Sequence, residues 1–409
     1  MKKRLLALLL CAVTAVGMTA CGNKDNTEAV ENTESTENAE SVPAVNLSQY
    51  DYNGTDQVEL CDYSAVPVTF DGTYEVTEDE VQDYAEQVFA SGGPFYVADE
   101  SKTTIEEGDI ANVDYVGKLD GEVFSGGSAT DQNIDVSNNT SASGSGYIDG
   151  FTDGLLGASV GDVVDAPVTF PDEYPNNPDL AGKEVIFTFT VNSIQKEITL
   201  DEISDEFVSK QFGLDTVEDF YSQIRKILEN QKKNTLYNSI EDYLIENCKV
   251  SVPEDYKAAM VDAIKTSFVE KYCNGDESQI DTVLANNGYT LEGIEKTWTE
   301  NAESSIKLEL IIKAISAKEG IKADEVGFQS YVNNVVNNNG LADADAAYSY
   351  YGYGDAAYGE NQMRVIYTAN LVLDKLSETA VITENTDSTE AADSTEAADS
   401  TEAADSTEE

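Results

Sequence analysis

The segment Val113-Asp114-Tyr115-Val116-Gly117, followed by Asp120-Gly121-Glu122-Val123-Phe124-Ser125-Gly126-Gly127, gives the first firm structural reading of this chain. Large and small side chains alternate over 110–116, as in a strand with one buried face, and Asp120-Gly121 is the residue pair that a tight hairpin favours. The stretches 163–170 and 185–194 alternate in the same way, with glycine turns between them. A compact antiparallel sheet is therefore predicted over 103–196. Three further segments punctuate it: Tyr147-Ile148-Asp149-Gly150-Phe151-Thr152-Asp153-Gly154-Leu155, Val160-Gly161-Asp162 and Phe170-Pro171-Asp172-Glu173-Tyr174.

Outward from the sheet the period changes. Residues 47–102 read as a connecting arm: an extended piece at Val66-Pro67-Val68-Thr69-Phe70, then Thr77-Glu78-Asp79-Glu80, a capping box before a helix carrying Val81, Tyr84, Ala85 and Val88. From 197 to 383 helical spacing takes over. Thr216 with Asp219 opens a helix whose stripe is Val217, Phe220, Ile224, Ile227, Leu228 and Leu236. A second helix follows Pro253, and a long third runs from Thr290 to a stop at Gly320. Two more are predicted near 326–336 and 361–376, and the Tyr- and Gly-rich stretch 348–360 reads as a mobile surface loop. The fold class is α+β: a small antiparallel-sheet domain attached to an elongated, all-helical one.

With 409 residues, 41% of them hydrophobic and including 22 Tyr and 13 Phe, the chain can bury a sizeable core. Its 78 acidic against 24 basic residues give a net charge of −54, which works against binding nucleic acid or anionic head groups. There is no histidine, so imidazole acid–base catalysis, His-based triads and His zinc sites are excluded. No G-x-x-x-x-G-K-[ST] loop occurs, and neither cofactor nor metal is expected.

Residues 1–21, MKKRLLALLLCAVTAVGMTAC, have the basic start, apolar run and small-residue end of a signal peptide. Met18-Thr19-Ala20-Cys21 resembles a bacterial lipobox, in which Cys21 becomes the lipidated first residue; Met18 departs from the usual Leu. The protein is therefore expected outside the cytoplasm, anchored to the outer face of the bacterial cytoplasmic membrane, with plain secretion as the alternative. Residues 22–46 form an acidic stalk too poor in large apolar groups to fold, and 384–409, with DSTEAA three times, a disordered acidic tail. With Cys11 in the signal and Cys21 at the lipid, Cys61, Cys248 and Cys273 remain, in odd number and at wide spacing. At most one bridge, Cys248 to Cys273, is expected, and buried free thiols ahead of it.

Taken together and in order, the quoted sheet segments resemble an FKBP-type peptidyl-prolyl isomerase domain. The arm before them and the helices after them, including Leu200 to Phe212, resemble the corresponding parts of the trigger factor family. The family's N-terminal ribosome-docking domain has no counterpart; the signal and stalk stand in its place. The resemblance implies a proline pocket lined by Tyr115, Phe124, Ile148, Phe151, Tyr174 and Phe187, with Phe151 as its floor and the Ile148 backbone amide offered to the substrate. Ile134 and Tyr147 are secondary candidates. Periodicity alone does not select them, since an alternating aromatic in a strand is ordinarily core. Two departures stand out: Ser125 replaces the family's usual acidic residue, and the 137–146 connection, SNNTSASGSG, is longer than usual, which is expected to loosen one rim.

The resemblance further implies that the helices form a cradle for unfolded polypeptide and work without ATP; the plainer reading is a bundle whose apolar stripes all face inward. The chain thus reads as a lipid-anchored, extracytoplasmic isomerase and chaperone for exported unfolded or proline-containing polypeptides. The alternative is a non-catalytic holdase or scaffold with a degenerate pocket. A solute-binding lipoprotein is disfavoured, because two lobes of alternating strands and helices are not found.

Overall fold

The computed structural model describes residues 45–385, which divide into two compact units: 78–225, and 45–77 together with 226–385. The signal with Cys21, residues 22–44 of the stalk and 386–409 of the tail lie outside the described residues; Glu384 and Asn385, expected in the disordered tail, instead pair with Phe70 and Asp71 in a strand. In chain order the elements are β1 (Val58–Glu59), β2 (Pro67–Asp71), α1 (Glu78–Ser91), β3 (Tyr96–Ala98), β4 (Ile110–Leu119), β5 (Glu122–Asp135), β6 (Thr140–Ser141), β7 (Val163–Thr169) and β8 (Glu184–Glu197). There follow α2 (Asp205–Phe212), α3 (Val217–Asn247), β9 (Lys249–Val250), α4 (Glu254–Tyr272), α5 (Ile280–Asn286), α6 (Leu291–Glu319), α7 (Glu325–Asn338), α8 (Ala344–Tyr351), α9 (Ala356–Ser377) and β10 (Val381–Asn385).

In the first unit the sheet order is β3-β8-β4-β5-β6, with β7 pairing the other end of β8, and every pairing is antiparallel. The hairpin between β4 and β5 turns at Asp120 and Gly121, whose φ angles of 53° and 85° lie in the left-handed region that Asp-Gly tolerates. Strand β8 alternates cleanly, burying Val185, Phe187, Phe189 and Val191. An aromatic set of Phe89, Phe95, Phe207, Phe212 and Phe220 ties α1, α2 and the first turns of α3 together. Thr216 opens α3 as expected, its hydroxyl accepting from the Asp219 amide.

In the second unit α6 is the central element. Thr290 caps its start, accepting from the Gly293 amide, and Gly320 at φ 69° ends it. Leu308, Ile311, Ile312 and Ile315 of α6 meet Leu236, Ile240 and Leu244 of α3 and Val372, Leu373 and Leu376 of α9. Two small strand pairs accompany the helices, β1 with β9 antiparallel and β2 with β10 parallel.

Three expectations are modified. Residues 47–77 do not form an arm: Val66, Val68 and Phe70 enter the helical core, and Leu47 packs with Tyr256, Ile306 and Tyr358. At Gly54 a Cβ would stand 2.3 Å from the Leu310 carbonyl oxygen, so only glycine lets the segment lie against α6. The stretch 348–360 is no mobile surface loop but the end of α8 and the start of α9. Tyr358 is buried there, and Gly359 approaches the Tyr348 carbonyl so closely that no side chain fits. Finally, the three cysteines are free thiols, Cys248 and Cys273 buried as expected first, but the secondary Cys248–Cys273 bridge is ruled out because the two lie in separate core clusters and Cys248 faces Cys61.

Candidate active site

The site grows from the register of β4 on β8, which sets Tyr115 opposite Phe189 and Gly117 opposite Phe187. A bulge displaces β4 just before these residues, and a polar network holds it. The Asp114 carboxylate accepts from the Asp131 amide at 2.8 Å and from Asn192 Nδ2 at 2.9 Å, which keeps its pKa below the ordinary value. Asn112, nearly fully buried, donates to Asp131 and Asn133 and accepts from Asn192. The bulge is therefore fixed on its polar side, and Tyr115 points to the apolar one.

Phe151, 3% exposed, lies at the centre of the rings. Tyr115 meets it edge-on at 5.2 Å, Phe187 at 4.8 Å and Phe189 at 4.9 Å, while Tyr147 stacks on it at 4.5 Å and 22°. Phe124 stands 5.8 Å from Phe187 and 6.0 Å from Phe170, and Tyr174 joins through Phe170 at 4.8 Å. Edge-on and offset contacts are the favoured geometries for such rings. Of the residues singled out from sequence, Tyr115, Phe124, Tyr147, Ile148 and Tyr174 are half-buried at the edge of this cluster, whereas Phe151 and Phe187 are buried within it. Ile134 is fully buried in the sheet core and reaches no open surface. Phe170, at the head of the Phe170–Tyr174 motif, and Phe189, within the alternating run 185–194, complete the ring cluster.

The turn that presents Ile148 is held by the 137–146 segment, contrary to the expected loosening. Asn139, at φ 53°, donates from Nδ2 to the Ile148 carbonyl at 2.9 Å, its own carbonyl accepts from the Tyr147 amide at 3.0 Å, and its Oδ1 accepts from the Thr152 hydroxyl at 3.2 Å. The 137–146 segment thus braces the turn through Asn139. The Ile148 amide itself donates to no group among the described residues. Burial raises the Tyr115 hydroxyl pKa, and that of Tyr147 with a smaller push from Tyr115, so both remain neutral donors. Ser125 is exposed, and the Tyr115 hydroxyl has no hydrogen-bond partner among the described residues. No cluster of three Cys, Asp or Glu side chains suited to a metal occurs among the described residues.

A family model for the FKBP-type peptidyl-prolyl cis-trans isomerase matches residues 101–192, and one for the C-terminus of bacterial trigger factor protein matches 215–378. In domain make-up the chain is trigger-factor-like. The trigger factor of Halothermothrix orenii is 29% identical over 69% of this chain, and that of Macrococcus caseolyticus 29% identical over 70%. The chain spans 64% and 65% of the length of these two relatives. A solved trigger factor chaperone structure aligns with 79% of this chain and 72% of its own at 18% identity, with a TM-score of 0.41, too low to carry an argument. The ring cluster lies within the FKBP-type match. Within the trigger-factor match the helical unit has a cleft of about 640 Å³. Met260, Ile264, Leu308, Ile312, Tyr353 and Ile366 line it, and Glu309 is also on its wall.

Proposed function

We propose that this trigger-factor-like chain is an exported, lipid-anchored peptidyl-prolyl isomerase that also holds unfolded polypeptides without ATP. The observation that carries the enzymatic reading is Phe151 ringed by Tyr115, Phe187, Phe189 and Tyr147, beside an Ile148 amide with no internal partner. Rotation about an X-Pro bond faces a barrier of about 20 kcal/mol because the planar amide is resonance-stabilised. The twisted amide has lost that resonance and part of its charge separation. An apolar, water-poor wall favours it over the planar ground state, and a free backbone N–H orients the flanking carbonyl. No proton moves, so a chain without histidine is at no disadvantage. Lowering the barrier by about 4 kcal/mol accelerates the reaction about 10³-fold.

Isomerisation of a proline-containing tetrapeptide by the full chain tests this. Phe151→Leu keeps apolar bulk but removes the ring and is expected to lower kcat/KM at least about tenfold. Equal rates with and without the wild-type protein would leave the non-catalytic holdase as the reading. Holding is assigned to the cleft in the helical unit, whose apolar lining suits side chains of an extended client. Ser305→Trp, placed in that cleft, should weaken suppression of client aggregation and leave isomerisation unchanged. Anchoring rests on the sequence of residues 1–21. A lipid-modified Cys21 in the N-terminal peptide of membrane-isolated protein supports it; an unmodified Cys21 there refutes it.

A further inference from the structure

We propose that Cys61 and Cys248 form a disulfide that fastens the segment before β2 to the end of α3, and that Cys273 stays a free, buried thiol. The two Sγ atoms stand 2.7 Å apart, within about 0.7 Å of the S–S bond length of about 2.05 Å. The backbone brings them there. β1 and β9 pair Val58 with Val250 and Glu59 with Lys249, and Cys61 and Cys248 lie just beyond the end of this two-pair antiparallel ladder. The Ser251 amide donates to the Gln57 carbonyl at 2.8 Å, the Tyr243 hydroxyl to the Asp62 carbonyl at 2.9 Å, and the Cys61 amide to Cys248 Sγ at 3.2 Å. The contact is therefore pinned on both sides, and bond formation needs a shift of less than an ångström rather than a rearrangement. Cys273 sits with Val269, Ile280 and Leu284, in a cluster that holds neither of the other two.

The chemistry is ordinary exchange with a disulfide oxidant of the glutathione or dithiol-oxidoreductase class. One cysteine thiolate attacks the oxidant disulfide and forms a mixed disulfide, releasing one thiol; the second cysteine thiolate displaces the other. Two thiols of the chain lose two protons and two electrons, and the oxidant disulfide becomes two thiols. Burial, and then the contact with Cys248, push the Cys61 thiol up to about 12, so little thiolate exists once the site has closed. The bond accordingly forms while the ends of the unit are still docking. It is a staple rather than a switch.

Its effect follows from the chain path. The closed loop runs from Cys61 to Cys248 and contains all of residues 78–225, so the isomerase unit becomes an insertion in a covalently closed ring of chain. Local opening of that unit would then leave the start of the helical unit attached. The inference goes beyond the isomerase reading, and its test needs no assumption about export.

The full chain, unfolded and refolded in a defined glutathione redox buffer, is alkylated under denaturing conditions, digested and analysed by mass. The expected result is one linked peptide pair holding Cys61 and Cys248, with Cys273 alkylated. Alkylation of both Cys61 and Cys248 after oxidation, or a link from either to Cys273, overturns the proposal. Reduction should lower the melting temperature of the helical unit by about 10 °C, as closing so long a loop implies. Cys273→Ser should keep that difference and Cys61→Ser should abolish it. Should Cys61→Ser fail to fold, wild-type protein with and without reductant gives the same comparison, and identical melting of the two forms counts against the staple.

Discussion

Gly117→Ala separates an aromatic pocket that works from one that is merely present. Gly117 lies on β4 opposite Phe187, and an added Cβ would stand 2.6 Å from Phe187 Cε1, 2.7 Å from Phe124 Cζ and 2.8 Å from Phe124 Cε1. Ordinary carbon–carbon contact is about 3.5–4.0 Å, so two rings of the site are each overlapped by about 1 Å. Phe187 is 4% exposed and held against Phe151, so the half-buried Phe124 is the ring that yields. Overpacking of this kind costs about 1–3 kcal/mol, a fall of about 2–10 °C in the melting temperature of the sheet-bearing unit. If the displaced ring contributes about 1–2 kcal/mol to holding the twisted amide, kcat/KM falls about 5- to 30-fold. Prolyl isomerisation and melting are measured on the same preparations. Gly146→Ala, with nothing within 4 Å of the new Cβ, should match wild type in both. Phe124→Ala added to Gly117→Ala should cost much less than Phe124→Ala alone, because one ring accounts for both losses. A folded Gly117→Ala protein with wild-type kcat/KM would refute the assignment of Phe124 to the pocket wall.

Three further outcomes follow from the same contacts. Burial, and to a lesser extent the charge of Asp242, raise the Glu241 carboxyl to about 7, so the folded protein keeps a proton that the unfolded chain loses near 4.5. The resulting stability is complete below about pH 4.5 and falls as pH rises through about 7; Glu241→Gln should remove that slope and stabilise the protein at pH 8 by about 1–2 kcal/mol, read by denaturant titration at pH 5 and 8. Lys313→Met leaves the buried Glu309, now 2.8 Å from the Lys313 ammonium, without its counter-charge; a loss of about 3–5 kcal/mol is expected, largely recovered when Glu309→Gln is added. Asn139→Ala should lower kcat/KM several-fold with a small change in melting temperature, since it removes the brace on the Ile148 carbonyl, and an unchanged rate would mean that the turn holds itself.

What the sequence revealed and what it concealed divide along physical lines. Strands with a buried face and helices with caps announce themselves locally, so the alternation of β8, the Asp120-Gly121 turn, Thr216, Thr290 and Gly320 could be read without a partner in view. Strands β1 and β2 are short, and their partners β9 and β10 lie far along the chain, so no local period assigns 47–77 to the helical core. The stretch 348–360 has the composition of a loop, yet its glycines serve close backbone approach within a packed helical hairpin. In the candidate site, motif position singled out rings that periodicity would have left as core, and the structure gathers them into one cluster. Asn139 was hidden in a run of small polar residues, where nothing local distinguishes the one that braces a turn.

The order of the units along the chain also constrains how the molecule can form. The sheet-bearing unit is one continuous stretch, 78–225, and its sheet contacts are complete once β8 has been made. The helical unit is split: Val66, Val68 and Phe70 must wait for α6 and α9, and Pro67–Asp71 for Val381–Asn385. Domains fold as units and N-terminal ones first, so the insertion can be native while its host is still open. Closing the host then costs the entropy of a long loop, reduced because a folded unit already occupies much of it. The Cys61–Cys248 contact sits where that closure is completed, next to a two-residue ladder that could not hold the ends alone. A covalent bond at this point stabilises the part of the fold with the least local support, which is why its effect is expected in the melting of the helical unit and not in the isomerisation rate.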